Sequence, residues 1–154
     1  MTAAFWWAAA TIANPEQANG FFHSQGTQII DPDGNPFIAK GMIVSNWLLP
    51  EAYALNLEQV HTRYLDSPKS IHENIVRLLD GDEDLAHQFW DLYRTNYFTK
   101  DDVREFARMG FNALRLPFNY RLLSPEDEPD VFLEEGFQLM DQVIGWCKEV
   151  GMSV

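Results

Sequence analysis

Residues 109–123 read MGFNALRLPFNYRLL, and this stretch decides the fold class. Its central part, residues 111–118, is an apolar run that contains a single charged residue, Arg115, and ends near Pro117. A short apolar run bounded by turn-forming residues is typical of a strand that is buried in a parallel sheet. A polar loop over residues 119–129 follows the run, so the chain is predicted to leave the sheet at this point.

Helices are predicted on both sides of this strand. Thr99 is followed by acidic residues, which predicts a helix N-terminus, and Gly110 predicts the end of that helix just before the strand. A second amphipathic helix is predicted over residues 133–150, with Gly151 ending it. Its inner face is expected to carry five apolar residues at helical spacing, namely Phe137, Met140, Ile144, Cys147 and Val150.

Two further helices are predicted earlier in the chain. Ser70 and Glu73 have the spacing of a capping box, which predicts a helix with Ser70 as its N-cap and an end at Gly81. Another helix is predicted over residues 83–95, with Trp90 packed in the core. The apolar residues expected to face inward are Ile71, Ile75, Leu78 and Leu79 in the first helix and Leu85, Phe89 and Leu92 in the second.

The remaining strands complete the prediction of fold class. Residues 28–38 place the turn sequence DPDGNP between two apolar pieces, which predicts a β-hairpin. Residues 40–44 (KGMIV) predict a short buried strand, and residues 152–154 predict the start of another. Strands that alternate with amphipathic helices predict the α/β class, with a parallel sheet built from βαβ units. So few parallel strands bury too little surface for a finished domain, so the chain is predicted to be part of a larger one.

The folded part is predicted to begin at residue 21, after a separate segment over residues 1–20. Residues 3–13, AAFWWAAATIA, have the length and apolarity of a signal-peptide core, yet no Lys or Arg precedes Lys40. A cleaved signal, a helical extension and a misplaced start codon are the three interpretations. The signal-peptide interpretation predicts an extracellular or periplasmic protein. No apolar run reaches the ~18 residues of a membrane span.

Composition limits the classes of partner. The net charge of −12 argues against nucleic acid and anionic lipid, and it suits a neutral substrate such as a glycan. Aromatic residues make up 14% of the chain, which predicts a large aromatic core and, for an exposed ring, a surface that stacks on sugars. Cys147 is the only cysteine, and the four histidines lack metal-ligand spacing. Neither a metal nor a cofactor is predicted.

An α/β barrel carries its active site at the carboxyl ends of its strands. The first such place is the loop after residues 40–44, which contains Asn46, Trp47 and Glu51. Trp47 is expected either to stack on a sugar or to plug the barrel end. Glu51 is expected either to bind sugar hydroxyls or to lie solvated at the surface.

The second place is the end of the strand over residues 111–118, with Arg115, Asn119 and Tyr120. Arg115 is expected to point away from its two leucine neighbours, because side chains alternate along a strand. A charge inside an apolar strand needs a partner. One interpretation is a structural buried ion pair, and the other is an arginine that holds a catalytic carboxylate ionised.

Read in order, these segments resemble the N-terminal half of glycoside hydrolase family 5, the cellulase-like retaining β-glycosidases. The resemblance runs from about residue 21 to the end and is strongest in residues 109–123. The helical stretch over residues 70–103 resembles an insertion found in cellulase and exo-β-1,3-glucanase members. In those members a Trp and a Glu four residues later bind the terminal sugar, and Trp47 and Glu51 keep that spacing, although Pro50 precedes the Glu.

The resemblance implies a (β/α)₈ barrel, of which residues 21–154 would form the hairpin and about the first three strands. It implies hydrolysis of a β-glucan polysaccharide or oligosaccharide through a retaining mechanism with two glutamates, by a protein that is a monomer at full length. Both glutamates would follow later strands, so this chain alone is expected to be inactive. Arg115 is the one residue of the family's catalytic centre that it contains.

Two other hypotheses compete with the hydrolase. The first is a short non-catalytic protein that binds a carbohydrate or a partner through the Trp47 loop. The second is another α/β-barrel enzyme that handles phosphorylated substrates, but the chain has no glycine-rich phosphate loop and its charge is unfavourable.

Overall fold

The computed structural model describes residues 20–53, 55, 65 and 67–154. The chain divides into two compact units, with the boundary between Ile38 and Ala39. The predicted signal or linker segment over residues 1–20 lies outside the described residues, except for Gly20. Among the helices of the described residues, none is long and apolar enough to cross a membrane.

The first unit contains the predicted hairpin and one strand that the sequence did not predict. Strands β1 (His23–Gln25), β2 (Gln28–Ile30) and β3 (Pro36–Phe37) form an antiparallel sheet in that order. The turn between β2 and β3 is held by Asp31, whose carboxylate Oδ1 accepts the backbone N–H groups of Asp33 and Asn35. The DPDGNP prediction is therefore confirmed, with Ile29 paired to Phe37.

The second unit is built on a parallel pair of strands. Strand β4 (Gly41–Ile43) pairs in parallel with β5 (Ala113–Arg115), with Met42 opposite Leu114. Ser153 then forms a parallel bridge to Ala113 on the other side of β5. The three predicted strand segments therefore lie side by side in sequence order. The architecture is mixed α/β, as predicted.

Helix α1 (Pro68–Leu78) starts three residues before the predicted position. Its N-cap is Ser67, whose hydroxyl accepts the backbone N–H of Ser70, while the Ser70 hydroxyl accepts the backbone N–H of Ser67. The predicted box of Ser70 and Glu73 is wrong, because Pro68 is favoured at the first helical position and moves the start upstream. Ile71 is buried, as predicted. Leu78 was also predicted to face inward, but it is exposed.

Helix α2 (Glu83–Tyr97) has its buried face rotated from the prediction. The buried residues are Ala86 and Trp90, and the burial of Trp90 confirms that part of the prediction. The residues predicted to face inward are instead exposed: Leu85, Phe89 and Leu92. Apolar spacing alone could not choose between the two faces, because aromatic and apolar residues surround most of this helix.

Helix α3 (Lys100–Arg108) follows its prediction closely. The backbone N–H of Thr99 donates to Asp102 Oδ2 at 2.8 Å, and Val103 is fully buried. Gly110 adopts a φ of 91°, so the helix ends where a glycine permits the left-handed conformation. The N–H of Phe111 then returns to the carbonyl of Phe106 at 3.1 Å, which closes the helix end before β5.

Helix α4 (Glu134–Glu149) confirms its prediction in part, because Cys147 is buried and Met140 and Val150 pack against the core. Its buried positions are Gly136, Val143 and Cys147. Phe137 and Ile144 are exposed, because the stripe that faces the parallel strands lies to one side of the predicted one. Burial raises the pKa of the Cys147 thiol. The core of this unit unites the two strands with helices α3 and α4 and consists of Val44, Trp47, Leu48, Phe98, Val103, Leu114, Val143, Cys147 and Met152.

Candidate functional site

The loops that follow β4 and β5 meet at one edge of the parallel sheet. Leu48 forms a parallel bridge to Phe118, and the backbone N–H of Asn119 donates to the carbonyl of Leu48 at 3.0 Å. Leu48 lies beyond the carboxyl end of β4, and Phe118 and Asn119 lie beyond that of β5. In open and closed α/β sheets this edge is where ligands bind. The two loops that the sequence singled out are therefore neighbours in space.

A pocket of about 250 Å³ opens at this edge, between the two loops and helices α1 and α2. Part of its lining is apolar and is contributed by Leu48, Pro50, Pro68, Trp90 and Leu122. The polar part is dominated by nitrogen-bearing side chains, namely Lys69, His72, His87, Arg94, Asn119 and Arg121. Of the residues predicted to bind substrate, only Asn119 is in this lining. Such an apolar cleft with a few convergent polar groups has the properties of a ligand site.

A chain of hydrogen bonds fixes the orientation of one pocket histidine. Trp90 donates its indole N–H to Nδ1 of His72 at 3.0 Å. Nε2 of the same ring faces the Glu83 carboxylate at 3.3 Å. Since Nδ1 accepts a hydrogen bond, the proton of the neutral ring belongs on Nε2, where Glu83 can accept it. The packing of α1 against α2 thus sets both the tautomer and the ring plane of His72.

Two arginines on the pocket wall are held from outside. Arg94 donates to the Glu135 carboxylate at 2.9 Å and lies 3.6 Å from Asp91. Arg121 forms an ion pair with Glu126. The acidic loop over residues 126–128 therefore supplies the carboxylate that pairs with Arg121. Neither Glu135 nor Glu126 lines the pocket itself.

Trp47 is not a solvent-facing ring in this structure. Its side chain is 2% exposed, and its indole N–H donates to the carbonyl of Arg94 at 2.8 Å. The ring makes an edge contact with Phe98, with 5.3 Å between centroids. Of the two alternatives for Trp47, these contacts fit the hydrophobic plug. A face for stacking on a sugar is absent from the described surroundings of this ring.

Asn46 holds the turn in which Trp47 lies. It is 4% exposed and has a positive φ of 63°, a conformation that asparagine tolerates better than most residues. Its side-chain oxygen accepts the backbone N–H of Glu51 at 2.8 Å, and its carbonyl accepts the Tyr93 hydroxyl at 2.8 Å. Burial raises the pKa of the Tyr93 phenol, so Tyr93 remains a hydrogen-bond donor. Asn46 therefore positions the loop.

Glu51 lies half-buried at the end of this loop. Its carboxylate accepts the hydroxyl of Tyr53 at 3.2 Å. This hydrogen bond and the negative charge of Glu51 raise the pKa of the Tyr53 phenol, which thus stays protonated beside the carboxylate. The pair presents a carboxylate and a phenol to solvent, and both groups are of the kind that binds sugar hydroxyls.

Arg115 ends β5 and points away from the core. Its neighbour Leu114 is 3% exposed, whereas Arg115 is exposed, which confirms the predicted alternation along the strand. The backbone carbonyl of Arg115 accepts the N–H of Val44 at 3.0 Å. Within the described part of the chain the guanidinium makes no ion pair. The structural ion pair and the arginine that holds a catalytic carboxylate ionised both stay predictions.

The loop after β5 contains Asn119 and Tyr120. Asn119 is the N-cap of a short 3-10 helix, Tyr120–Leu122, because its side-chain oxygen accepts the backbone N–H of Arg121. Tyr120 is 55% exposed. The sequence placed both residues at the correct edge, but it gave no signal for the pocket residues of α1 and α2.

His72 and His87 illustrate what sequence reasoning missed. They are far apart in sequence and have no motif spacing, yet their ring centroids lie 6.4 Å apart because α1 packs on α2. Among the described residues, no group of three or more His, Cys, Asp or Glu side chains is placed so that it could hold a metal ion.

The chain is similar in sequence to several glycoside hydrolases. It is 32% identical to "Beta-xylosidase" of Phanerodontia chrysosporium over 127 residues, which are 82% of this chain and 25% of that protein. It is 29% identical to "Endoglucanase C" of Acetivibrio thermocellus over 58 residues, or 38% of this chain and 17% of that protein. It is 28% identical to "Probable glucan 1,3-beta-glucosidase A" of Aspergillus clavatus over 72 residues, which are 47% of this chain and 17% of that protein.

No protein-family model matches the chain. The chain spans about a quarter, or less, of the length of these curated relatives. All three are named as enzymes that cleave glycosidic bonds, and their names support a glycosidase-like function. The similarity is low, and it does not separate one glycosidase family from another.

Proposed function

We propose that this chain forms the N-terminal part of a retaining glycoside hydrolase of family 5, which cleaves β-linked glucans of the cellulase or exo-β-1,3-glucanase type. Its residues 21–154 would contribute the hairpin and about three strands of a (β/α)₈ barrel. The protein would act on extracellular or periplasmic polysaccharide, as a monomer and without a cofactor. Similarity to one glycosidase along 82% of the chain supports this proposal.

One structural observation carries the proposal furthest. Strand β4, strand β5 and Ser153 lie side by side, in sequence order and in parallel. Sequential parallel strands with intervening helices are how a (β/α)₈ barrel begins. The pocket and the end of β5 both lie at the carboxyl edge of these strands, where enzymes of that architecture place their chemistry.

In this proposal Arg115 is a positioning residue for the catalytic nucleophile. A retaining glycosidase uses a nucleophile and a general acid/base with carboxyl groups ~5 Å apart. A guanidinium that donates to the nucleophile lowers its pKa and keeps it ionised. Arg115 has no ion-pair partner among the described residues, and this suits the role. The two glutamates would come from strands beyond Val154, so the 154-residue chain alone would not hydrolyse glycosides.

The two loops would divide the work of substrate binding. Asn119 and Tyr120 would contact sugar at the end of β5, and Glu51 would accept hydrogen bonds from sugar hydroxyls. Asn46 would serve binding through the loop it holds. Trp47 would support the site indirectly, because its buried ring anchors the loop to α2.

The test is hydrolysis by the product of the complete reading frame that contains this chain. It should release reducing sugar from cello-oligosaccharides or from a β-1,3-glucan, with the first product in the β-anomeric form by NMR. Arg115→Ala should lower kcat by about 100-fold, in the range observed for loss of one transition-state donor. Arg108→Ala, a fully surface-exposed change on α3, should leave kcat unchanged. An inverted anomer, or full activity in Arg115→Ala, would contradict the mechanism.

A second candidate substrate is a β-xyloside, because the similarity that covers most of this chain is to a β-xylosidase. Xylo-oligosaccharides therefore belong in the same assay. A preference for xylo-oligosaccharides would leave the proposed glycosidase activity standing and would replace the glucan with a xylan as its substrate. Hydrolysis of none of these substrates, with tight binding of a glycan, would instead favour the non-catalytic binding protein.

A further inference from the structure

The pocket has a charge opposite to that of the chain. The protein carries 23 acidic and 11 basic residues, for a net charge of −12. None of the residues that line the pocket is Asp or Glu, whereas three are Lys or Arg and two are His. With twice as many acidic as basic residues in the chain, this is a local reversal of sign. A ligand in the pocket would meet cationic and N–H donor groups.

The carboxylates near the pocket leave this character in place. Glu135, Glu126 and Glu83 each pair with a pocket residue, but they approach from behind and are absent from the lining. Their effect is to hold Arg94, Arg121 and His72 in fixed positions. Lys69 differs from these three, because no carboxylate of the described residues lies within ion-pair distance of its ammonium group.

The other wall of the pocket is apolar. Trp90, Pro50 and Leu122 supply carbon surface next to the cationic side. A ligand that suits both walls has a ring with apolar C–H faces and a negative group at its edge. A bare anion would leave the apolar wall without a partner, and a neutral sugar would leave the charge of Lys69 without an opposite charge.

We propose that this pocket binds a sugar unit that bears a carboxylate, a uronic acid residue of the glycan, with Lys69 as its principal cation. The inference deepens the proposed function and rests on it for the choice of a glycan as ligand. Its substrate class is a β-linked glycan with uronic acid branches. The strongly negative remainder of the chain would make binding depend on this pocket alone.

The test compares three probes on the full-length product of the reading frame by isothermal titration. Methyl β-D-glucuronide and methyl β-D-glucoside share a ring and differ in the carboxylate, and inorganic phosphate is a free anion. The glucuronide should bind about two- to fivefold more tightly than the glucoside, the range expected for one exposed ion pair. Its affinity should fall as salt rises.

Variants assign this preference to the pocket. Lys69→Gln should bring the affinity for glucuronide down to that for glucoside, and Lys69→Arg should restore most of the difference. Lys148→Gln removes the same charge from the exposed end of α4 and should change nothing. Lys69→Gln should leave glucoside binding as it was, which also shows that the variant is folded.

Equal affinity for glucuronide and glucoside would overturn the inference, and so would an unchanged preference in Lys69→Gln. Phosphate that binds as tightly as the glucuronide would mean a general anion site, and this also rejects a sugar carboxylate as its ligand. Hydrolysis of neutral glucans without a glucuronide preference would refute this inference and leave the proposed function standing. Glucuronide preference without hydrolysis of any glycan would support this inference and refute the proposed function.

Discussion

The loop after β4 (residues 44–51) and the loop after β5 (residues 116–133) begin at the same edge of the sheet but differ in how they are held. In the first, Trp47 and Leu48 are 2% and 1% exposed, and Trp47 and Asn46 are hydrogen-bonded to residues of α2. In the second, Tyr120 is 55% exposed. Position at a strand end therefore does not decide whether an aromatic side chain is free to meet a ligand.

The difference comes from what packs behind each loop. The first loop is seated on α2, whose Arg94 carbonyl and Tyr93 hydroxyl bind it. The second loop meets α4 through its main chain, because the carbonyl of Leu122 lies against Gly136 of that helix. Leu133, the N-cap of α4, closes the loop by donating its N–H to the carbonyl of Leu123 at 2.8 Å. Main-chain anchoring leaves side chains available. We therefore expect substitutions in the first loop to change stability and those in the second to change ligand binding.

The largest effect is expected at Trp47. Trp47→Ala should lower the free energy of unfolding by about 3–5 kcal/mol, because it removes a fully buried aromatic ring and leaves a cavity. Trp47→Phe keeps most of the ring volume and loses the hydrogen bond to Arg94, so it should cost less, about 1–2 kcal/mol. Urea unfolding followed by circular dichroism measures both. A loss below 1 kcal/mol in Trp47→Ala would mean that the first loop is not seated on α2.

The next effect is expected where α4 supports the second loop. A Cβ added at Gly136 would overlap the carbonyl oxygen of Leu122, so the backbone must move. Gly136→Ala should destabilise by about 1–3 kcal/mol in spite of the higher helix propensity of alanine.

Gly145 provides the matched control in the same helix, because no atom lies within 4 Å of its added Cβ. Gly145→Ala should stabilise by up to about 1 kcal/mol. Thermal unfolding of the two variants side by side gives the comparison. The same sign of change in both would contradict the close approach of α4 to the second loop.

Asn46 should have a smaller effect than either. Asn46→Ala loses the acceptor for the Glu51 N–H and places alanine at a φ of 63°, so we expect a cost of about 1–2 kcal/mol. Asn46→Gly also loses the acceptor but adopts this φ without strain. The glycine variant should therefore be the more stable of the two in urea unfolding. Equal stability would show that the positive φ is not retained in the alanine variant.

The smallest effect on stability is expected at Tyr120. Tyr120→Ala removes an exposed side chain and should change the free energy of unfolding by less than about 0.5 kcal/mol. In the full-length product it should nevertheless raise KM for the glycan, if the second loop is the one that binds substrate. Loss of stability without a change in KM would reverse the division of roles between the loops.

The sequence could predict the elements whose signals are local. Thr99 and Gly110 marked the ends of α3, and DPDGNP marked the hairpin turn, because caps and turns depend on neighbouring residues. The parallel arrangement followed from the order of strands and helices. The strand that precedes this hairpin was missed, because the polar residues His23, Ser24 and Gln25 give no alternating apolar pattern.

Features that depend on which surfaces meet were less accessible. The buried faces of α2 and α4 were displaced from their predictions, because both helices have apolar residues on more than one side. Arg115 and Asn119 were placed at the correct edge by strand order alone. The pocket residues His72 and His87 come together only through the packing of α1 on α2, which no spacing in the sequence encodes.

The single cysteine of the chain has a practical use. Cys147 is fully buried in α4, and the raised pKa of its thiol keeps it in the unreactive protonated form. A thiol reagent added to the native protein should therefore react only when α4 detaches from the strands, and it would modify Cys147 alone. The rate of modification then reports the rate at which α4 opens, without any engineered probe.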